Sequence, residues 1–108
     1  MVDTSAYELI QEDRPHDFNR WVETHEGIVD LTGVHLRGYD LRAFNLATAN
    51  LTNAYMRAAD IRGLDLTAAN LEGVSIKDAK ISGTLFPRNV SAQEIQLSWE
   101  HGTRIRTT

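Results

Sequence analysis

The sequence predicts an all-β solenoid of about three square coils, and three observations carry that prediction. A large apolar residue stands at every fifth position from Leu31 to Phe86, through Leu36, Leu41, Leu46, Leu51, Met56, Ile61, Leu66, Leu71, Ile76 and Ile81, without exception. Two residues before several of these stops come Ala49, Ala54, Ala59, Ala69 and Ala79, and one residue before come Asp30, Asp40, Asn45, Asn50, Asp60, Asp65 and Asn70. Two residues after them come Gly33, Gly38, Asn53, Gly63, Gly73 and Gly83. A fixed period is decisive because it dictates architecture before any local propensity does.

Neither regular structure accommodates a period of five. Five residues at helical pitch rotate by about 140°, which scatters the leucines around a cylinder. On a strand, odd spacing sends successive side chains to opposite faces. The chain must instead turn a corner every five residues, so that each short side delivers its apolar residue to a common interior and four corners close a coil of twenty. Asp and Asn before each corner can bond the backbone at a bend. Gly and Asn two residues after each stop tolerate positive φ, as the third residue of a type II turn requires. The corners at Ala43, Thr48, Ala58 and Ala68 are expected to use another turn type.

Segments such as Ala49-Asn50-Leu51-Thr52-Asn53, Ala59-Asp60-Ile61-Arg62-Gly63 and Ala69-Asn70-Leu71-Glu72-Gly73 resemble the pentapeptide-repeat motif: a small residue, Asp or Asn, Leu, then two variable positions. The resemblance covers twelve consecutive repeats over residues 29–88, with departures at His35, Tyr55, Ser75, Lys80 and Leu85. It implies a right-handed quadrilateral β-helix. Coils of twenty place Leu31, Leu51 and Leu71 in one interior column, Leu36, Met56 and Ile76 in the next, Leu41, Ile61 and Ile81 in the third, and Leu46, Leu66 and Phe86 in the fourth. Three coils at the strand-pairing distance stand only about 15 Å tall.

Both open ends of so short a solenoid expose apolar surface and unpaired backbone, so covers are expected. In the first coil Val29, Val34, Tyr39 and Phe44 occupy the usually small position and can lean out under a lid. Residues 1–28 supply an N-terminal helical cap, with Tyr7, Leu9 and Ile10 ahead of Pro15 and a helix near 16–26 whose Phe18, Trp21 and Val22 face the coil. Residues 89–102 read as a C-terminal helix: Ser91 as cap, Glu94 closing a capping box, Val90 and Ile95 as a staple, and Gly102 as terminator. Its Ala92, Ile95 and Trp99 side is expected to close the last coil. Leu97 and Trp99 are candidate contacts for a homodimer through this helix, symmetric by default. Residues 103–108 are left as a tail.

The length of 108 residues and 42% hydrophobic content suit one domain. No cysteine is present, which excludes disulfide and thiolate chemistry, and neither an apolar leader nor a membrane span is legible, so a cytoplasmic protein is the expectation. The charge is unevenly placed. Residues 1–27 hold seven carboxylates against two arginines, a balance of −5; residues 28–88 hold seven basic against six acidic groups, +1; the remainder is neutral.

Twenty-residue stacking aligns Arg37, Arg57 and Lys77 on one wall and Arg42 and Arg62 on the next, with Tyr55 as the aromatic among them. This strip is the candidate binding surface for an acidic or phosphate-bearing partner. The plainer reading is a solvated face, with Asp40 and Asp60 neutralising Arg42 and Arg62. Nucleic acid is disfavoured, because the domain is not basic overall. In the family that the chain resembles, long acidic dimeric β-helices mimic duplex DNA and protect DNA gyrase. That alternative needs dense negative charge, one per about 1.7 Å of duplex, and a length that three near-neutral coils do not offer.

Catalytic constellations are missing from the sequence. There is no Gly-x-Ser-x-Gly elbow, phosphate loop or dinucleotide fingerprint. His25-Glu26 opens like a metalloprotease helix, but Val29 stands where the second histidine belongs. No catalytic residue, cofactor, metal or small-molecule substrate is assigned. The expectation is a non-enzymatic interaction or scaffold module whose partner is another protein, with gyrase protection as the alternative.

Overall fold

A chain that turns every five residues comes back over itself after twenty. In the computed structural model, which describes residues 2–108, parallel one-residue bridges join Asp30 to Asn50 and Asn50 to Asn70, His35 to Tyr55 and Tyr55 to Ser75, Asp40 to Asp60 and Asp60 to Lys80, and Asp65 to Leu85. The all-β expectation is corrected in one respect. Pairing among the described residues takes the form of isolated bridges rather than sheets, because each side uses its other residues on a corner, and three helices flank the coil. These are α1 (Thr4–Gln11), α2 (Pro15–Thr24) and α3 (Ala92–His101).

The stops fill the interior. From Leu31 to Ile76 all ten are at most 2% exposed, and Ala49, Ala54, Ala59, Ala69 and Ala79 pack beside them. Each such leucine contributes roughly 1.5–3 kcal/mol. One large and one small residue per side is what coils about 4.8 Å apart can accommodate. The last two stops, Ile81 and Phe86, are only half-buried.

Corner conformation is shared within three of the four columns, the exception being that of Gly63 and Gly83, where Ala43 in the first coil keeps negative φ. Gly33, Asn53 and Gly73 all have positive φ, as expected, and so do Gly38, Gly63 and Gly83. Ala58 overturns the expectation made for it: its φ is 60°, matching Gly38 above and Asp78 below. The gain is a hydrogen bond between coils. The N–H of Ala58 donates to Lys77 O at 2.8 Å, as Gly38 N–H does to Arg57 O at 2.9 Å, whereas no such bond forms at Ala43, Thr48 or Ala68, which keep negative φ. Such a bond stabilises by about 1 kcal/mol and offsets a left-handed penalty of similar size. At Gly73 a Cβ would displace the Asn53 side-chain amide, and the φ of 76° already favours glycine.

The N-terminal cap contains two helices where the sequence pattern resolved one. Pro15 starts α2, Ile10 and Phe18 are 2% and 0% exposed, and Phe18 meets Phe44 edge-on with ring centroids 5.4 Å apart. Val29, Val34 and Phe44 are buried beneath the lid, and Tyr39 is half-buried.

The C-terminal cover departs more from expectation. Helix α3 spans Ala92–His101 with Gly102 left-handed at φ 75°, and Ser91 Oγ accepts from Glu94 N–H. The capping box is nonetheless half-made, because the Glu94 carboxylate is held by Arg106 instead. The buried face is Glu94 and Ser98, whereas Ala92 is exposed and Trp99 is 41% exposed. An edge with unmet donors explains this: Ser98 Oγ accepts the Ile76 N–H at 3.0 Å, which no alanine can do. Nor are residues 103–108 a tail. Ile105, 1% exposed, accepts from Gly73 N–H at 2.7 Å and donates to Val74 O at 2.9 Å, and Thr107 and Thr108 bond Glu72 and Asn89.

Candidate functional site

Every wall repeats one local design. The residue before each stop points outward, and when it is Asp or Asn its side chain accepts from the backbone N–H two residues on, as at Asp30, Asp40, Asn45, Asn50, Asp60, Asp65 and Asn70. The position after the stop then projects from a corner, and five of these positions hold the predicted basic residues.

On the wall carrying Arg42 and Arg62 the acidic partners are built in. Arg42 binds Asp40 through Nε and Nη2, both at 2.9 Å, and reaches Asp60 at 3.3 Å. Arg62 binds Asp60 through Nε at 2.9 Å and Nη2 at 2.7 Å. The Arg42 guanidinium, helped by its own backbone N–H, holds the Asp40 carboxyl down to about 2. Hydrogen bonding from Arg62 lowers that of Asp60, and both arginines are raised in return. The result is a self-neutralised ladder of alternating charge.

The neighbouring wall differs because His35 and Tyr55 occupy the position before the stop, with their rings tilted 6.1 Å apart. Among the described residues Arg37 and Arg57 make no ion pair and no side-chain hydrogen bond. The bridge from His35 to Tyr55 places them one coil apart. Lys77, the third member of the predicted column, is engaged: its Nζ donates to Glu100 O at 2.9 Å at the end of α3 and lies 3.6 Å from Asp78. The predicted strip of Arg37, Arg42, Arg57, Arg62, Lys77 and Tyr55 therefore divides. Arg37 and Arg57, beside half-buried Tyr55, hold uncommitted charge; Arg42 and Arg62 are committed to carboxylates, and Lys77 to α3.

The candidate oligomer contacts also separate. Leu97 is half-buried, and Trp99 is exposed while its indole N–H donates to Ala79 O at 2.8 Å. Trp99 borders a depression with half-buried Ile81, and the N–H groups of Ile81 and Gly83 have no partners among the described residues; Leu85, on the next side, is 54% exposed.

Sequence reasoning missed the groups that close the ends. Asp3, Tyr7 and Asn19 bond the edge of the first coil, and the Arg106 guanidinium holds Glu94 below its ordinary value. Arg104-Ile105-Arg106 carries the signal of an apolar residue between two cations, but nothing local tells which edge it meets.

Among the described residues no group of three or more His, Cys, Asp or Glu is arranged to hold a metal ion, and no helix is long and apolar enough to cross a membrane. A family model described as pentapeptide repeats matches residues 30–63 and 49–86, in eight copies where the spacing predicts twelve. No curated protein matches the chain, and no solved structure does.

Proposed function

The chain belongs to the pentapeptide-repeat family, and on that footing we propose that it is a non-enzymatic protein-interaction module, a right-handed, four-sided β-helix of about three coils that docks a partner on its Arg37–Arg57 wall. The observation that carries the reading is the pair of uncommitted guanidiniums, one coil apart, on a wall whose neighbour has neutralised every arginine it holds. A rigid wall orders little on docking and so loses little entropy. The chemistry fits an acidic surface of a partner protein, because guanidinium forks bind carboxylates in pairs. The setting we propose is the cytoplasm.

Capture of partners from native lysate by wild-type chain, by Arg37→Glu/Arg57→Glu and by Arg42→Glu/Arg62→Glu tests this. The reading expects a partner retained by the second double variant and lost by the first. Equal retention by both, or turnover of a small molecule by purified protein, overturns it. Protection of gyrase is the reading this proposal displaces; an effect of excess protein on quinolone-dependent DNA cleavage restores it. A homodimer through α3, with Trp99 and Leu97 at the contact, is part of the proposal and is tested by light scattering of wild type against Trp99→Glu.

A further inference from the structure

The lid bonds the edge of the first coil on three sides and leaves it unbonded on one. In the later coils the outward residue of every side except that of Asp65 bonds the coil before it through both its N–H and its C=O; ahead of the first coil the lid supplies substitutes. The N–H of Asp30 donates to the Asp3 carboxylate at 2.6 Å and its C=O accepts from Asp3 N–H at 2.8 Å. The N–H of His35 donates to the Tyr7 hydroxyl at 3.1 Å, and that hydroxyl donates to His35 O at 3.0 Å. The Asn19 side chain accepts from Asn45 N–H at 2.7 Å and donates to Ala43 O at 2.9 Å. On the remaining side, that of Leu41, Asp40 has no partner for its backbone N–H or C=O among the described residues.

That unmet edge borders a depression of about 230 Å³, lined by Ile10, Gln11, Asp13, Tyr39, Asp40 and Phe44. A second depression adjoins it, sharing Asp13, Asp40 and Phe44 and extending to Arg42. The floor is apolar, with Ile10 and Phe44 nearly fully buried and Tyr39 half-buried. Asp40 is committed to Arg42, but Asp13 makes no ion pair among the described residues and stands in the lid whose balance is −5.

The opposite end of the molecule shows what chemistry such an edge accepts. There Arg104-Ile105-Arg106 lies on the third coil: Ile105 exchanges two backbone hydrogen bonds with Gly73 and Val74 and buries its side chain, while Arg106 binds Glu94. We infer that the notch at Asp40 receives an extended segment of a partner protein in which an apolar residue is flanked by basic ones, pairing its backbone with Asp40 as Ile105 pairs with Gly73 and Val74. Strand addition at a free edge supplies the backbone bonds, the depression takes the apolar side chain, and Asp13 selects the cation. One side of a coil offers a single pairing residue, so side-chain fit carries the specificity. The surface is separate from the Arg37–Arg57 wall and takes a partner of opposite charge.

A capped hexapeptide with the sequence of residues 103–108, Thr-Arg-Ile-Arg-Thr-Thr, is the probe, titrated into isotopically labelled full-length chain and read by backbone amide shifts. Saturating shifts at Asp40, Phe44 and Asp13 below about 1 mM are expected, with a peptide carrying Glu for both Arg failing to bind. Asp13→Asn, which keeps a residue type suited to its φ of 53°, and Gln11→Arg each weaken binding by about tenfold, whereas Arg37→Glu/Arg57→Glu leaves it unchanged. The inference is overturned by shifts confined to Gly73 and Val74, where the peptide merely competes with the chain's own segment, by equal binding of the Glu peptide, or by no shift at that concentration.

Discussion

Arg37 and Arg57 occupy the same place in their repeats as Arg42 and Arg62, on adjacent corners of the same two coils, yet only the second pair is neutralised. What separates them is the residue two positions earlier. Asp40 and Asp60 cap the corner backbone and hold the guanidinium with the same carboxylate, while His35 and Tyr55 can do neither. The charge an arginine presents here thus follows the residue two positions before it, neutralised beside Asp40 and Asp60 and uncommitted beside His35 and Tyr55.

The comparison rests on coils that stay in register, so the largest effect is expected where register is lost. Leu51→Ala, at a fully buried stop between the first and third coils, should lower stability by about 2–5 kcal/mol in denaturant unfolding and blunt both columns together. A loss below about 1 kcal/mol would mean that the interior column does not carry the stack. A sharper variant makes the first column imitate the second: His35→Asp/Tyr55→Asp is expected to pair Arg37 and Arg57 internally and weaken capture of an acidic partner by about tenfold, ~1.4 kcal/mol, with the fold retained. Unchanged capture would show that the free guanidiniums are not what the partner reads.

Acid distinguishes the columns as well. The folded-state pKa of Asp40 lies at about 2, below its ordinary 3.8, and that of Asp60 is also lowered. Their contribution is therefore complete above the unfolded value and disappears as pH falls through the folded one. The melting temperature should drop between pH 3.8 and about 2, and less steeply in Asp40→Asn/Asp60→Asn. Parallel curves for the two proteins would place the acid-labile groups elsewhere. The smallest effect is expected at the corners: Ala58→Gly relieves a left-handed alanine and should stabilise by up to about 1 kcal/mol, whereas Ala43→Gly, where φ is negative, should cost about 0.5–1 kcal/mol. Opposite signs in chemical unfolding are the signature.

Much of the wall was legible because its causes lie within five residues. The leucine ladder, the carboxylates that bond the corner backbone and the pairing of Asp40 and Asp60 with Arg42 and Arg62 all follow from spacing alone. Lys77 was misplaced in the strip because its partner, the Glu100 carbonyl, comes from a helix that returns from beyond the repeats. Ala58 was misread for a related reason: an isolated alanine avoids positive φ, and only the stacked corners above and below make it adopt one.

By itself, then, the sequence determined the period, the filled interior and the balance of charge on each wall, since each is a property of one repeat copied along the chain. Tertiary structure decided how the ends are closed. Ser98 under Ile76, Ile105 under Val74, Asp3, Tyr7 and Asn19 above the first coil, and the unmet edge at Asp40 depend on which distant segment reaches which unpaired backbone group, and no local pattern encodes that meeting.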